Sequence, residues 1–288
     1  MTDQINYQNS NLKSVDIEDV SIGLRELGSG NEVFFIHGFP THGYTWRKII
    51  PKLSGTYKCN VIDLPGLGDS KWSVNSKFDS QSQAAYLVAL IKKMGVNKCS
   101  LIAHDSGATI ARIIAIQEPH LVDKLVLINT EVPYHRPPWI PFYQAVGLLP
   151  LVPDLIRIAL KMNWFLRSSM GFREAYSDKS MFDDPNNLGP YIKPIISSRE
   201  KTIGAFKYLK GIDWKVVDSF KEDHQKIKAR TLLVWGEDDK TFPVEHAETM
   251  TQQFNPTCEL RRIKGASLLP HEEKSHEVAI VIVDFLSG

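Results

Sequence analysis

Short apolar runs alternate with longer helical patterns along most of the chain, and this alternation limits its fold more than any other feature. The runs lie at residues 33–36, 60–62, 101–103, 125–128 and 232–235. Each is too short for a helix and too apolar for a strand with one solvent face, so each is predicted to be a buried parallel strand. Helical patterns at residues 81–94, 108–118, 245–254 and 272–285 follow most of them. The sequence therefore predicts an α/β fold, a mostly parallel, doubly wound sheet covered on both faces.

Two segments depart from this alternation. Residues 15–20 and 22–27 are predicted to form an antiparallel hairpin at the N-terminus. Between Glu131 and about Trp214 the alternation stops, and the stretch is rich in Pro, Trp, Tyr and amphipathic pattern, as at residues 154–165. We predict a helical cap over residues 131–212, with residues 1–130 and 213–288 forming the core.

Charge and composition narrow the function classes. The 288 residues carry 34 basic and 33 acidic side chains, a formal net charge of +1. This balance offers no electrostatic case for nucleic acid or an anionic membrane. The three cysteines form no CxxC pair, so no zinc site and no disulfide framework are predicted.

The expected partner is a small hydrophobic molecule, and no cofactor or metal is expected. A homodimer is left open.

Targeting signals are not evident in the sequence. Residues 1–14 are polar and lack the apolar centre of a signal peptide. The longest uncharged run, residues 137–153, contains five prolines, which excludes a membrane-spanning helix there. A cytoplasmic location is the default expectation.

The segment from Ala103 to Ala108 carries the first chemical motif. It joins a predicted strand to a predicted helix, and a sharp turn there needs small residues two before and two after its apex. Ala103 and Gly107 meet this requirement around Asp105, whereas the bulky His104 stands in the way of a turn centred on Ser106. The predicted apex is therefore a carboxylate. The simpler alternative is an aspartate that only caps the helix.

Three further strand ends carry motifs. His37-Gly38-Phe39-Pro40 can aim the Phe39 N–H at the apex, where it would form an oxyanion hole with the N–H of Ser106. Residues 63–70 lack the third glycine of a dinucleotide fingerprint and are predicted to be a loop that shapes the pocket. The third motif, residues 235–243, holds a candidate acid that would orient a histidine, Asp239, with Asp238 as its neighbour. Glu131 is a weaker alternative acid.

These motifs, in this order and with a helical insertion, resemble the α/β-hydrolase fold family over residues 20–286. The aspartate apex and the preceding His-Gly-Phe-Pro resemble its epoxide hydrolase and dehalogenase branch. At position 39 this chain carries Phe, which resembles epoxide hydrolases and fluoroacetate dehalogenases. Haloalkane dehalogenases carry Asn at that position. Haloalkane dehalogenases and most epoxide hydrolases carry Trp after the nucleophile, and fluoroacetate dehalogenases carry Arg. Ser106 at that position argues against both dehalogenases.

Leu268 occupies the position of the family's catalytic histidine. The family pattern is Gly-x-Gly-His-x-Pro-x-Glu-Glu, and this chain matches it at Gly265, Pro270 and residues 272–273. His271, three residues further on, is expected to be a solvent-side helix residue. Its spacing to His276 is one residue too long for a zinc-binding HExxH motif.

The resemblance implies a two-step reaction. Asp105 would attack a saturated carbon and form an alkyl ester, while the oxyanion N–H groups and the helix dipole keep it ionised. Cap tyrosines, with Tyr143 and Tyr208 as the candidates, would protonate the leaving alkoxide of an epoxide. Water activated by the missing histidine would then cleave the ester, a contribution of roughly 10²–10⁴-fold. The proposed binding residues are His37, His104, Trp139 and Trp164.

Several hypotheses about function are compatible with the sequence. The leading one is an epoxide-hydrolase-like enzyme with weak or absent turnover. The protein is otherwise a non-hydrolytic pseudoenzyme or small-molecule-binding protein, a hydrolase in which His271 or another group replaces the base, or an inactivated variant of an active hydrolase. A serine esterase acting through Ser106 is disfavoured by His104.

Overall fold

The computed structural model describes residue 7, residues 10–256 and residues 258–288. A nine-stranded sheet runs through this part of the chain in the order β1-β2-β4-β3-β6-β7-β8-β9, with β5 paired to β2. The strands are β1 (Leu12–Ile17), β2 (Val20–Leu27), β3 (Asn31–Ile36), β4 (Tyr57–Asp63), β5 (Lys71–Trp72), β6 (Cys99–His104), β7 (Val122–Ile128), β8 (Arg230–Gly236) and β9 (Glu259–Ile263).

Helices cover both faces of this sheet and fill the insertion. They are α1 (Ile50–Leu53), α2 (Ser80–Lys93), α3 (Ser106–Gln117), α4 (Trp139–Val146), α5 (Val152–Ala159), α6 (Asn163–Leu166), α7 (Pro185–Ile196), α8 (Arg199–Lys210), α9 (Trp214–Asp223), α10 (Val244–Thr251), α11 (Pro270–Glu273) and α12 (Ser275–Ser287). Side chains of α2 and α3 belong to one apolar core, and those of α1 and α12 belong to a second.

The predicted fold class is confirmed. Strands β3, β4, β6, β7, β8 and β9 pair in parallel, and each of the five apolar runs lies inside one of the first five. The predicted hairpin is present as β1 and β2, but its turn lies at residues 18–19, where Glu18 has a φ of 49°, and not near residue 21 as predicted. Strand β9 was not predicted, because its sequence ELRRI is largely charged and only Ile263 is buried. It pairs with β8 alone, at the edge of the sheet, where one side of a strand stays in water.

The helical insertion lies between β7 and β8. It contains α4 to α9 and several short 3-10 turns, and no strand lies in it. The predicted helix over residues 154–165 is two helices, α5 and α6, and that over residues 272–285 is broken at Lys274 into α11 and α12. The boundaries 131–212 of the cap remain a prediction.

Candidate active site

Asp105 lies alone between β6 and α3, at the carboxyl edge of the sheet. Its backbone has φ 52° and ψ −132°, a conformation that costs a residue with a side chain of order 1–3 kcal/mol. The turn is held because the Asp105 N–H donates to the carbonyls of Ile128 at 3.1 Å and Asn129 at 2.9 Å. The turn fixes the position of Asp105 at this edge of the sheet.

Two glycines allow the chain to pack this closely. A Cβ on Gly107 would lie 2.2 Å from the carbonyl oxygen of His37, so the residue two after the apex has to be glycine. A Cβ on Gly38 would lie 2.4 Å from the Cβ of Asp105. The loop after β3 can therefore approach the carboxylate only because Gly38 has no side chain.

Backbone N–H groups point at the Asp105 carboxylate. The Phe39 N–H donates to its Oδ2 at 2.8 Å and also lies 3.1 Å from the hydroxyl oxygen of Ser106. The Ser106 hydroxyl lies 3.2 Å from Oδ2, and the Ser106 N–H acts to lower the pKa of this carboxyl. This arrangement can stabilise negative charge on that oxygen.

Burial works against ionisation of Asp105. Its carboxyl is buried, and burial together with the nearby Glu131 charge raises its pKa well above the usual value, although the Ser106 and Phe39 N–H groups oppose the shift. Burial also raises the pKa of Glu131, whose Oε2 accepts hydrogen bonds from the hydroxyls of Thr109 and Thr130. The second oxygen of Glu131 has no hydrogen-bond partner among the described residues. Ionisation of both carboxyls at once is therefore unfavourable.

The two candidate tyrosines occupy different surroundings. The Tyr208 hydroxyl lies 3.0 Å from the Ser106 hydroxyl, and its ring stacks on Phe39 with centroids 6.4 Å apart. Burial raises the pKa of Tyr208, so it keeps its proton. The Tyr143 hydroxyl instead donates to the carbonyl of Met170 at 2.9 Å, while its ring lines the cavity. The structure thus places Tyr208, rather than Tyr143, beside the Asp105–Ser106 pair.

Asp239 is buried, and no imidazole of the described residues is hydrogen-bonded to its carboxylate. Its Oδ2 accepts from the Asn129 side-chain amide at 2.6 Å, and its Oδ1 accepts from the N–H groups of Thr241 at 2.7 Å and Phe242 at 3.1 Å. Burial raises its pKa to about 7, against these hydrogen bonds. The adjacent Asp238 instead accepts from the Ser177 hydroxyl of the insertion.

Leu268 is buried and lines the cavity, and its carbonyl lies 2.8 Å from Nε2 of His104. The expectation that His271 faces solvent is wrong. Its Nε2 lies 2.7 Å from the Thr45 hydroxyl, and its ring stacks on Trp46. Burial lowers its pKa to about 3, because the charged form is disfavoured there. The short helix α11 packs inward on the core, which the polar sequence around His271 did not indicate.

The four residues predicted to bind ligand fall in different places. Trp139 lines the cavity. His37 and His104 are buried and lie outside its lining; His37 accepts from the Leu64 N–H at 2.9 Å, and burial lowers its pKa to about 4. Trp164 is 68% exposed on the cap and is also outside the lining.

An apolar cavity of about 110 Å³ lies under the insertion. Its wall includes Phe39, Thr241 and Leu268 from the core and Tyr143, Phe165 and Leu209 from the insertion. Cavities of roughly 150 Å³ with apolar walls hold benzene. A single small apolar group is therefore the size of ligand that fits.

The part of the chain that the structure describes offers neither a cluster of metal ligands nor a membrane-spanning helix. No group of three or more His, Cys, Asp or Glu side chains in that part of the chain is placed to hold a metal ion. Likewise, no helix there is both long and apolar enough to cross a bilayer.

Comparison with known proteins agrees with this architecture. The sequence profile of the alpha/beta hydrolase fold matches residues 31–274. The chain belongs to the α/β hydrolase fold family. It is 22% identical to Epoxide hydrolase 2 of Caenorhabditis elegans, over 97% of this chain and 81% of that protein.

Solved structures show the same fold in proteins of differing description. An alpha/beta hydrolase fold protein from Burkholderia ambifaria superimposes with a TM-score of 0.80 at 18% identity, covering 96% of this chain and 100% of the other. A thermophilic esterase from Thermogutta terrifontis gives 0.78 at 20% identity, with 96% and 98% covered. The α/β hydrolase is thus similar in sequence to an epoxide hydrolase and shares its fold with an esterase.

Asn129 is the residue of this α/β hydrolase that sequence reasoning missed. It follows β7 directly, and its side chain both donates to Asp239 and accepts from the Gly236 N–H at 2.9 Å. Its position directly after a predicted strand could have indicated this role, because polar residues that follow parallel strands meet at one edge of the sheet. The chain separation of 110 residues from Asp239 hid the pairing.

Proposed function

We propose that this α/β hydrolase attacks an alkyl carbon of a small hydrophobic compound through Asp105, with an epoxide as the preferred substrate, and that its ester intermediate is hydrolysed slowly or not at all. One observation carries the proposal. The strained turn presents the Asp105 carboxylate with Oδ2 2.8 Å from the Phe39 N–H. With one oxygen held, the other is the attacking atom.

The first step needs a proton as well as a nucleophile. As the Asp105 oxygen forms a bond to the epoxide carbon, that carbon's bond to the ring oxygen breaks and leaves an alkoxide. Tyr208 is the proposed donor, since its hydroxyl lies 3.0 Å from Ser106 next to the nucleophile and burial keeps it protonated. The Tyr208 phenolate would then regain its proton from water.

The second step lacks its base. Leu268 cannot take a proton, and Asp239 is engaged by Asn129 and two backbone N–H groups. His271 is buried, with its Nε2 at the Thr45 hydroxyl and its ring stacked on Trp46. Water attack on the ester would therefore lose roughly 10²–10⁴-fold of rate.

A second candidate function is non-covalent ligand binding on the same fold. The raised pKa of Asp105, caused by burial and the Glu131 charge, favours it, because a protonated carboxyl is a poor nucleophile and a good hydrogen-bond donor. This candidate predicts saturable binding of small apolar molecules without any covalent change.

Intact-protein mass spectrometry after incubation with a small aliphatic epoxide, 1,2-epoxybutane, over a range of pH, tests both candidates. A stable adduct that maps to Asp105 and is lost in Asp105→Asn supports the stalled enzyme. Release of free diol, also lost in Asp105→Asn, indicates that another group replaces the base. Ser106→Ala is the matched control, since it should keep the adduct, whereas its loss there would redirect the assignment to Ser106. Neither adduct nor diol at any pH supports binding alone and rejects the covalent step.

A further inference from the structure

The exposed apolar side chains of the protein are concentrated on the insertion. Thirteen large apolar residues of the described chain are exposed, and nine of them lie between residues 142 and 170. We call these nine the cap apolar surface: Phe142, Leu148, Leu149, Leu151, Leu155, Ile158, Met162, Trp164 and Met170. Single exposed apolar residues are normal on a protein surface, but a concentration of this kind marks an interaction site.

Helix α5 shows that this surface is additional to the cavity lining. Ile156 and Leu160 line the cavity, so they account for the inward face of the helix. Leu155 and Ile158 point the other way and are 61% and 53% exposed. A helix that only closes a cavity has a polar outer face. The outer face of α5 is instead apolar enough to need a partner.

The charge of the same segment indicates the kind of partner. Residues 142–170 contain Arg157, Lys161 and Arg167 against the single acid Asp154, a formal charge of +2, whereas the whole chain carries +1. Asp154 is paired with Arg157 at 3.5 Å and with Arg199 at 3.0 Å, and Arg167 is paired with Asp183 at 2.7 Å. With the two outside partners Arg199 and Asp183 included, four basic side chains stand against two acids, so the charge is still +2. In a two-fold symmetric dimer this surface would face its own positive charge. An anionic surface complements it instead.

We infer that the cap apolar surface docks on an anionic lipid bilayer. Leu155, Ile158 and Trp164 would enter the boundary between headgroups and acyl chains, and Lys161 would stay among the headgroups. An exposed tryptophan beside basic side chains is typical of such interfacial contacts. The net charge of the whole chain led to the opposite expectation, because it averages this segment with the rest. The inference does not depend on the chemistry of Asp105.

The surface is continuous with the cavity, which adds a substrate class. Met170 belongs to both, being 38% exposed and part of the cavity wall. Phe165, in the wall, packs edge-on against Trp164 with ring centroids 6.0 Å apart. A lipophilic molecule dissolved in the bilayer could therefore reach the cavity along apolar side chains without crossing water.

Flotation of the purified full chain with vesicles tests the inference. One set is phosphatidylcholine alone and the other an equimolar mixture of phosphatidylcholine and phosphatidylserine. We expect stronger flotation with the anionic vesicles and a decrease with added salt. The double variant Leu155→Gln/Ile158→Gln should lower the partition coefficient by about tenfold or more, because two half-exposed apolar side chains are removed. Lys161→Gln should weaken binding to the anionic vesicles only.

Matched controls keep the test decisive. Ile280 lies on α12, outside the insertion, and is 46% exposed. Ile280→Gln is therefore the counterpart of Ile158→Gln and should leave flotation unchanged. Trp164→Gln serves as a second test should the double variant fail to fold by circular dichroism. Failure of the wild type to float with either vesicle overturns the inference, and so does an equal loss in Ile280→Gln. A dimer by light scattering that Leu155→Gln/Ile158→Gln dissociates, without flotation, assigns the surface to a second copy instead.

Discussion

Replacing Leu268 by histidine tests whether one missing imidazole is what prevents turnover. Leu268 lines the cavity, and the Asp239 carboxylate, the candidate partner acid, is already buried and ordered by hydrogen bonds. Its Oδ2 accepts one hydrogen bond, from Asn129 at 2.6 Å, and a carboxylate oxygen can accept two. An imidazole N–H can therefore be added without displacing Asn129. We expect Leu268→His to hydrolyse the ester.

The expected gain follows from the role of a general base. Ester hydrolysis should accelerate by roughly 10²–10⁴-fold, which corresponds to a barrier lower by about 3–5 kcal/mol. The lost packing of a buried leucine should cost about 1–3 kcal/mol of stability. The gain should increase with pH, because the imidazole acts in its neutral form and Asp239, whose pKa is about 7, orients it when ionised.

The assay follows decay of a preformed 1,2-epoxybutane adduct by intact mass, together with diol release. Leu268→Gln is the matched control, since it is polar and of similar size but cannot act as a base. Adding Asp239→Asn to Leu268→His should remove most of the gain. A folded Leu268→His protein that keeps its adduct as long as the parent does would refute the reasoning, and would mean that water cannot reach the ester.

Three further predictions concern the buried groups. Glu131→Gln should shift the pH profile of adduct formation to lower pH, because removing the neighbouring negative charge lowers the pKa of Asp105; an unchanged profile would contradict the coupling. Tyr208→Phe should slow opening of 1,2-epoxybutane by about 10²-fold but not attack on an alkyl bromide, whose bromide leaves without a proton; equal losses would exclude an acid role. Asp239 has its pKa raised from 3.8 to about 7 in the folded protein, so the free energy of unfolding should fall as pH increases through this window, by up to about 4 kcal/mol. Urea unfolding at acid and mildly alkaline pH should show that Asp239→Asn removes this dependence, and a persistent slope would assign it to other groups.

Local sequence patterns were sufficient for five of the parallel strands and for the turn at Asp105. A buried parallel strand has to be apolar on both faces, so β3, β4, β6, β7 and β8 were visible as runs of a few residues. The turn has to have small residues around its apex, and Gly107 meets the His37 backbone as that rule requires. Strand β9 escaped prediction because its residues are largely charged and it lies at the sheet edge.

The sequence alone therefore determined the fold class and which residue stands at the sharp turn, because both depend on neighbours a few residues apart. Only the tertiary structure decided which side chains form hydrogen-bond pairs: Asn129 with Asp239, His271 with Thr45, and Tyr208 with Ser106. These pairs are separated by 102 to 226 residues in the chain. The physical reason is that hydrogen-bond partners and burial are set by how distant segments pack, which no local pattern encodes.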